Sequence, residues 1–317
     1  MSENLAHFIQ QEKSILQRLQ SKDWDERNIE VWVKRDDLLH PEVSGNKWRK
    51  LYYNIEQAKQ YKSDGIFTFG GAFSNHLVAT AFAAKESGLK SIGFVRGNEL
   101  HKDSNHTLRR CADLGMELQF LSREMYVLHN DKQFIDELKL ENPGFYAVPE
   151  GGANYFGIIG CQAIWKELPS DVDHLFVAQG TTTTSCGLLL GLPEKTELHV
   201  VPVLKGFDVQ KTMQNHLNWL LFDENLASDL VAKVNVHEEF HFGGYGKYTP
   251  ELLQFIKQTY QIHQLPLDPV YTAKAFYALE ETLKSSKFDN QKVVFLHTGG
   301  LQGCKSIEEK ENMRFFD

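Results

Sequence analysis

The stretch GIFTFGGAFSNHLVATAFAAKE, residues 65–86, decides the fold class. Its first six residues form a short apolar run rich in aromatic and β-branched side chains, which predicts a buried strand. Ser74 then stands where a helix N-cap belongs, directly before the run LVATAFAAKE, so a helix follows the strand almost at once. A strand that passes straight into a helix is typical of a parallel α/β sheet.

The same kind of run recurs along the chain. The other predicted strands are VWVK (31–34), SIGFVR (91–96), ELQFL (117–121), GFYAV (144–148), HLFVAQ (174–179), LHVVPV (198–203) and VVFLH (293–297). Residues 46–61 carry apolar side chains at the three-four spacing of a helix face. These are Trp48, Leu51, Tyr52, Ile55 and Ala58. The sequence therefore predicts an α/β fold, a mostly parallel sheet with helices on both faces.

Length and composition narrow the classes of function. The 317 residues suffice for two ordinary domains, and the net charge of -8 gives no reason to expect nucleic acid as a partner. No run approaches the ~18 apolar residues of a membrane span, and the N-terminus lacks the pattern of an export signal. The four scattered cysteines, Cys111, Cys161, Cys186 and Cys304, argue against a disulfide framework or a zinc ribbon. We therefore expect a cytoplasmic enzyme of small molecules.

Two basic residues begin the predicted helix at 46–61. SGNKWRK (44–50) places Lys47 and Lys50 three residues apart on one helix face, with Arg49 between them. Neighbouring positive charge lowers the pKa of one lysine and frees its amine for imine formation, while the other lysine can hold a phosphate. The alternative is a basic turn that simply lies in water.

Two further junctions between a strand and a helix can bind an anion. In GGAFSNH (70–76), Ser74 and the helix amides suit a carboxylate or a phosphate, and the amide of Asn75 suits a phenolic oxygen. In AQGTTTTSCG (178–187), Gly180 permits a close backbone approach, and Thr181, Thr182, Thr183 and Thr184 offer hydroxyls and amides. Neither a nucleotide P-loop nor a G-x-G-x-x-G pattern is present, so ATP and NAD are poorly supported. The alternatives are a plain N-cap and a Thr-rich turn.

One motif indicates different chemistry. HEEFH, from His237 to His241, matches the zinc-protease string in which a helix brings two histidines to one face. VNV precedes the string and Gly243-Gly244 follows it, so we expect an extended segment. Extended backbone would separate the histidines by ~13 Å at ~3.3 Å per residue. A zinc hydrolase is therefore a weak alternative, and we expect no metal.

Taken together, these motifs closely resemble the family of 1-aminocyclopropane-1-carboxylate deaminase and D-cysteine desulfhydrase, among the tryptophan-synthase-β-like pyridoxal-phosphate enzymes. The resemblance runs from about Val31 to the end of the chain. Its markers are VWVKRDDLLHPEVSGNKWRKL, FTFGGAFSNH, VPEGGANYFGIIGC, the DPVYTAKA stretch from Asp268 and the HTGGLQG stretch from His297. It implies fold type II, with two open, mostly parallel twisted sheets, and pyridoxal 5'-phosphate as the cofactor.

The resemblance also implies a role for each candidate residue. Lys47 would hold the cofactor as a Schiff base, and Lys50 would help hold its phosphate. Asn75 would bind the cofactor 3-oxygen, and Ser74 would face the substrate. The loop of Gly180 and Thr181 to Thr184 would bind the phosphate. Tyr271 and, with a weaker match, Tyr245 would be active-site tyrosines, although either could be a packed aromatic.

Two threonines carry the expectation about substrate. Deaminases of the cyclopropane amino acid carry Glu where Thr272 stands and Leu where Thr298 stands, whereas desulfhydrase-like members carry hydroxyl residues. His76 also resembles the desulfhydrases. A carboxylate at the pyridine nitrogen keeps the ring protonated, and a neutral hydroxyl leaves it largely unprotonated. That favours loss of a good β leaving group over opening of a cyclopropane ring.

We therefore expect β-elimination of a small amino acid, first D-cysteine, to pyruvate, hydrogen sulfide and ammonia. The cyclopropane deaminase and a serine dehydratase are the alternatives within this chemistry, and a pyridoxal-phosphate-binding protein without catalysis lies outside it. The resemblance further implies a small α/β domain at 50–160 inserted into a large domain of 1–49 and 161–317, with the cofactor between them. A homodimer is expected, and neither a membrane nor nucleic acid is expected as a partner.

Overall fold

The computed structural model describes residues 13–43 and 45–316. The N-terminal segment 1–12, on which the expectation about an export signal depends, and Ser44 of the SGNKWRK motif lie outside the described residues. The chain divides into two compact units. One contains His40–Gly160, and the other is described for 13–39 and 161–316. The expected division put all of 1–49 in the second unit. Residues 40–49 instead belong to the first, since the helix that starts at Asn46 packs on a helix of that unit.

The first unit is a parallel sheet with helices. Its strands are β3 (Gly65–Gly70), β4 (Lys90–Arg96), β5 (Met116–Leu121) and β6 (Phe145–Ala147). Its helices are α2 (Asn46–Gln60), α3 (Asn75–Glu86), α4 (His106–Asp113), α5 (Arg123–Tyr126), α6 (Lys132–Glu141) and α7 (Tyr155–Gln162), the last of which crosses the chain boundary between the units. The strand order is β5-β4-β3-β6, with every pair parallel.

The centre of this sheet explains why its sequence is so apolar. All six residues of β3 are buried, because helices cover both faces of a parallel sheet. Phe67 and Phe69 pack with Phe94 of β4 on one face, and the apolar residues of α3 pack on the other. β3 is therefore held rigidly, and its carboxyl end delivers the residues 71–76 to a fixed place.

The second unit is built on a six-stranded sheet within the described residues, in the order β1-β2-β10-β7-β8-β9. Its strands are β1 (Leu16–Leu19), β2 (Glu30–Lys34), β7 (His174–Gln179), β8 (Glu197–Pro202), β9 (Val234–Val236) and β10 (Lys292–Leu296). Its helices are α1 (Lys22–Glu26), α8 (Thr183–Leu190), α9 (Val209–Leu221), α10 (Glu224–Val231), α11 (Pro250–His263), α12 (Thr272–Thr282) and α13 (Gln302–Glu311). Only β1 pairs antiparallel with its neighbour.

The core of the second unit lies around β7 and β10. Phe176 and Phe295 are fully buried on these two strands, and Phe276 of α12 packs against Phe295 with ring centroids 5.1 Å apart. α12 therefore lies directly on the sheet, and the residues before it reach the carboxyl ends of the strands. In open α/β sheets, ligands bind at that edge.

The predicted α/β fold of two mostly parallel sheets is confirmed. All eight predicted strands and both predicted helices form, with ends that differ by at most two residues. β1 and β9 were not predicted. Among the described residues, no helix is both long and apolar enough to cross a membrane. All four cysteines are buried free thiols.

Candidate active site

The first basic cluster lies at the start of α2. Gly45 precedes the helix with φ 61° and ψ -138°, a conformation that favours glycine. Lys47 is half-buried, and its Nζ donates a hydrogen bond to Oδ1 of Asn46 at 2.7 Å. Arg49 and Lys50 are each only 4% exposed. The alternative of a basic turn in water is therefore wrong, since a buried ammonium group needs anionic or hydrogen-bonding partners.

His76 in α3 lies beside this cluster. Its Nε2 lies 2.9 Å from Oγ1 of Thr68. Gly152 lies close to both His76 and Lys50, because a Cβ on this glycine would lie 3.0 Å from Cβ of Lys50 and 3.8 Å from Cε1 of His76. Burial, together with the positive charges of Lys47 and Lys50, lowers the pKa of His76 to about 3. His76 is therefore a neutral imidazole next to two lysines. No partner for its buried Nδ1 occurs among the described residues.

The junction between β3 and α3 has the predicted form. Ser74 is the N-cap of α3, and its Oγ accepts a hydrogen bond from the backbone N–H of Leu77 at 3.4 Å. Asn75 is the first residue of the helix and is half-buried. A Cβ on Gly70 would lie 2.7 Å from Oγ of Ser74, so this position requires glycine for the turn to close. Lys47, Lys50, Ser74 and Asn75 therefore all belong to the starts of two packed helices.

The threonine loop lies in the second unit, at the carboxyl end of β7. Thr182 has φ 57°, a left-handed conformation that is rare for a β-branched residue. Its Oγ1 lies 2.7 Å from Nδ1 of His216, and Oγ1 of Thr181 lies 3.2 Å from Oγ1 of Thr183. α8 begins at Thr183, so the last two threonines of the loop, Thr183 and Thr184, form a helix N-terminus, where backbone N–H groups favour an anion. Strain of this kind occurs often at ligand sites.

Two tyrosines meet this loop in the second unit. A Cβ on Gly180 would lie 3.3 Å from Cε1 of Tyr271 and 3.9 Å from its hydroxyl oxygen. The Tyr271 hydroxyl donates to the Tyr245 hydroxyl at 3.4 Å. The structure thus brings Gly180, Tyr271 and Tyr245 together, and a side chain at 180 would press on the Tyr271 ring.

Asp268 organises the segment that carries Tyr271 and Thr272. It is fully buried and accepts hydrogen bonds from the backbone N–H of Val270, Tyr271 and Thr272 at 2.8–2.9 Å. The Thr272 hydroxyl donates to its Oδ2 at 2.7 Å and accepts from its N–H at 2.8 Å. Burial raises the pKa of this carboxyl, although the hydrogen bonds oppose the change. The sequence motif that begins at Asp268 did not indicate a role for this residue, although an Asp just before a helix is typical of a turn.

Lys274, for which the sequence also predicted no role, stabilises the turn before Tyr245. This lysine is completely buried, and its Nζ donates to the carbonyl oxygens of His241 and Gly244 at 2.9 and 2.8 Å. Burial lowers its pKa to about 8, against the opposing charge of Asp268. Lys274 therefore fixes the turn that ends at Tyr245. No pattern in the sequence separates this lysine from those on the surface.

Thr298 follows β10 and is 7% exposed. Before it, Nε2 of His297 donates to the carbonyl of Pro266 at 2.6 Å, and Nδ1 accepts from the N–H of Gly299 at 3.2 Å. Gly299 and Gly300 have φ of 76° and 99°, so the HTGG turn needs both glycines. Thr298 is held in a tight, buried turn.

The HEEFH string does not form a zinc-protease site. The expectation of an extended segment is wrong, because Glu238–His241 form a 3-10 turn with Phe242 in the left-handed region. The two imidazoles have different partners: Nε2 of His237 lies 3.0 Å from Nδ1 of His199, and Nδ1 of His241 accepts from Gly243 N–H at 2.9 Å. The turn forms because Gly243 and Gly244 adopt positive φ directly after it.

Comparison with known proteins gives consistent matches. The model of the family described as pyridoxal-phosphate dependent enzyme matches residues 12–299. The bifunctional D-cysteine desulfhydrase/1-aminocyclopropane-1-carboxylate deaminase, mitochondrial, of Arabidopsis thaliana is 33% identical over 298 residues, which cover 86% of this chain and 73% of that one. The D-cysteine desulfhydrase of Yersinia enterocolitica is 30% identical over 286 residues, 86% of each chain.

The solved structures agree with these relatives. The crystal structure of an ACC deaminase homologue superposes with a TM-score of 0.78 and 29% identity, covering 94% of this chain and 92% of that one. The matches span nearly the whole chain, and the expected family is confirmed. The chain belongs to the pyridoxal-phosphate dependent enzymes of fold type II, in the lyase family that contains 1-aminocyclopropane-1-carboxylate deaminase and D-cysteine desulfhydrase.

Proposed function

We propose that this enzyme catalyses β-elimination of D-cysteine, followed by hydrolysis with one water molecule, to pyruvate, hydrogen sulfide and ammonia. One observation carries the choice of substrate. Thr272 stands where deaminases of the family carry Glu, and its hydroxyl proton is donated to the buried carboxylate of Asp268. Position 272 thus offers no carboxylate of its own to a ring nitrogen.

The residues present fit pyridoxal phosphate. Gly180 leaves the space beside the Tyr271 ring that a Cβ would fill, and the threonine loop ends at a helix N-terminus. Such a loop suits a phosphate. The buried Lys50 adds positive charge, and half-buried Lys47 carries the amine for covalent attachment. We propose that Lys47, Lys50, Asn75, Gly180, Thr181 to Thr184, Thr272 and Thr298 hold the cofactor.

The cofactor supplies an electron-withdrawing ring that stabilises negative charge on the substrate α-carbon. The chain supplies the rest. We place the substrate carboxylate against Ser74, Asn75 and the first amides of α3, where the helix dipole favours an anion. Nζ of Lys47, freed from the cofactor when the substrate amine takes its place, would accept the α-proton as general base, with Tyr271 assisting. Tyr245 orients the Tyr271 hydroxyl through the hydrogen bond between them.

The two threonines bias the reaction. A neutral hydroxyl at the ring nitrogen would supply no negative charge to hold a proton there, and the cofactor would then stabilise negative charge on the substrate α-carbon less strongly. Hydrosulfide is a good leaving group, so its loss would need less of this stabilisation than the opening of a cyclopropane ring. Thr272 and Thr298 therefore favour elimination from cysteine.

Assays with four amino acids test the proposal. Purified holoenzyme is supplied separately with D-cysteine, L-cysteine, D-serine and 1-aminocyclopropane-1-carboxylate, and keto acid, ammonia and sulfide are measured. We expect the highest kcat/KM with D-cysteine, with equal amounts of sulfide and pyruvate. Keto acid from the cyclopropane substrate alone would refute the proposal, and turnover of none of them would indicate a binding protein without this chemistry.

A Thr272→Glu variant sharpens the test. The new carboxylate should bind a proton-bearing ring nitrogen and raise activity toward the cyclopropane amino acid relative to D-cysteine. Thr272→Ser is the matched control, because it keeps the hydroxyl that donates to Asp268. An unchanged substrate ratio in the Glu variant would show that residue 272 does not set the preference.

Compartment and assembly belong to the same proposal. Four buried free thiols are consistent with a reducing compartment, and we propose the cytoplasm. We also propose a homodimer, after the family. Light scattering of the purified protein would give the mass, and a monomer of 36.4 kDa would contradict the dimer.

A further inference from the structure

A cluster of three histidines and a glutamate lies in the second unit, at the amino ends of β7 and β8. His174 on β7 pairs in register with Glu197 on β8, and His199 follows Glu197 by two residues. Side chains two residues apart on a strand share one face of the sheet, so the pleat brings all three to the same place. β7 is six residues long and ends at the threonine loop, so the cluster lies about 17 Å from that loop.

The ligand atoms of these three residues form a compact triangle. Nδ1 of His174 lies 3.1 Å from Nε2 of His199, and Oε2 of Glu197 lies 3.8 and 3.7 Å from these two nitrogens. In a tetrahedral zinc site with bonds of about 2.0–2.1 Å, neighbouring ligand atoms are about 3.3 Å apart. Among residues 13–43 and 45–316, this is the group of three whose ligand atoms all lie within 4.8 Å of one another.

We propose that His174, Glu197 and His199 bind a divalent transition-metal ion of the zinc type, at a site separate from the cofactor loop. Two imidazoles and one carboxylate are ligands that zinc accepts, and a fourth position is left for water. The proposal does not depend on the proposed substrate.

The surroundings hold the imidazoles in a state that binds metal. The His199 ring stacks on the Phe176 ring with centroids 4.2 Å apart, and the Phe288 ring packs on the His174 ring with centroids 4.6 Å apart. This packing fixes the orientation of both imidazoles. Nδ1 of His174 and Nε2 of His199 face each other at 3.1 Å, so at least one of these two nitrogens carries a lone pair and not a proton. Neutral imidazole is the form that ligates a metal.

His237 completes the arrangement from outside the triangle. Its Nε2 lies 3.0 Å from Nδ1 of His199. When Nδ1 of His199 donates its proton there, the lone pair of Nε2 faces His174 and Glu197. Metal-bound histidines almost always donate their other N–H in this way. The first histidine of HEEFH is therefore a positioning residue of this cluster, and the second is not.

Two groups compete for the carboxylate. Nζ of Lys287 and Nδ2 of Asn235 lie 3.1 and 3.2 Å from Oε2 of Glu197. Lys287 is 57% exposed, and Glu197 is 41% exposed, so the ammonium can turn into solvent and an ion can enter from there. Removal of the Lys287 charge should therefore tighten metal binding.

Equilibrium dialysis of tag-free holoenzyme against Zn²⁺, in buffer without phosphate, tests the site. We expect one tightly bound zinc ion per chain and no change in the visible absorbance of the cofactor. Glu197→Gln should weaken zinc binding at least ~10-fold, and His237→Ala should weaken it ~10–100-fold, as outer-shell partners do. Lys287→Met should strengthen it several-fold.

Matched variants separate this site from others. Glu194→Gln makes the same change of charge at an exposed position nearby and should leave the zinc affinity unchanged, as should His241→Ala. Circular dichroism confirms that each variant is folded. Wild-type enzyme without a tight zinc, equal affinity in Glu197→Gln, or a loss in His241→Ala would overturn the proposal and reduce the cluster to N–H···N hydrogen bonds.

Discussion

Replacement of the buried Lys274 by Met should remove a pH dependence from the stability of the enzyme. Burial lowers the pKa of Lys274 from 10.5 to about 8 in the folded protein. Between these values the unfolded chain holds a proton that the folded chain has released, so stability rises with pH across this window. The cost of the buried charge is fully present below about pH 8. At about 1.4 kcal/mol per unit of pKa, the shift from 10.5 to about 8 lowers the unfolding free energy by about 3 kcal/mol.

Urea unfolding of wild type and Lys274→Met, at several pH values from about 7.5 to about 10.5, measures the effect. The difference in unfolding free energy, wild type minus variant, should rise by about 3 kcal/mol across the series. Lys284→Met is the control, because Lys284 is 68% exposed and pairs with Glu281 at the surface. Parallel stability curves for wild type and Lys274→Met would refute the reasoning.

Three further changes have defined outcomes. The pKa of His76 in the folded protein is about 3, so the unfolding free energy of wild type should fall by about 3 kcal/mol from about pH 6 to about pH 4. His76→Gln should remove this part of the pH dependence, which acid unfolding of both proteins measures. Gly160→Ala should unfold at a lower urea concentration than Gly71→Ala, because a Cβ on Gly160 would overlap the carbonyl oxygen of Arg49, whereas a Cβ on Gly71 meets nothing within 4 Å. Equal urea midpoints would contradict this expectation. Thr272→Val should lower the unfolding free energy by about 1–3 kcal/mol, because the buried N–H of Asp268 loses its acceptor and the carboxylate loses one donor. Thr272→Ser should lower it much less in the same urea assay.

The fold was accessible from sequence because its strands are short apolar runs bounded by turn residues. β3 and β7 are wholly buried, so their apolar residues are contiguous and easily recognised. β1 contains Gln and Arg at its centre and lies at the sheet edge, and β9 has three residues. Neither has the length or pattern of a buried strand, and tertiary pairing alone makes them strands.

The candidate site was accessible where a residue lies at a junction of strand and helix. Ser74 and the threonine loop follow strands directly, so their sequence neighbours indicate their place. Asp268 and Lys274 could not be interpreted in this way. Their partners are backbone groups brought close by folding: the Lys274 ammonium contacts carbonyls about 30 residues away in the chain. The histidine cluster likewise depends on the register of β7 and β8.

The identity of the lysine that binds the cofactor tests the central claim most directly. Borohydride reduction of the holoenzyme fixes pyridoxal phosphate on its lysine, and peptide mass spectrometry then locates the modified residue. We predict the modification on Lys47 and its absence from Lys50. Modification of Lys50 or of any other lysine, with Lys47 unmodified, would contradict the account.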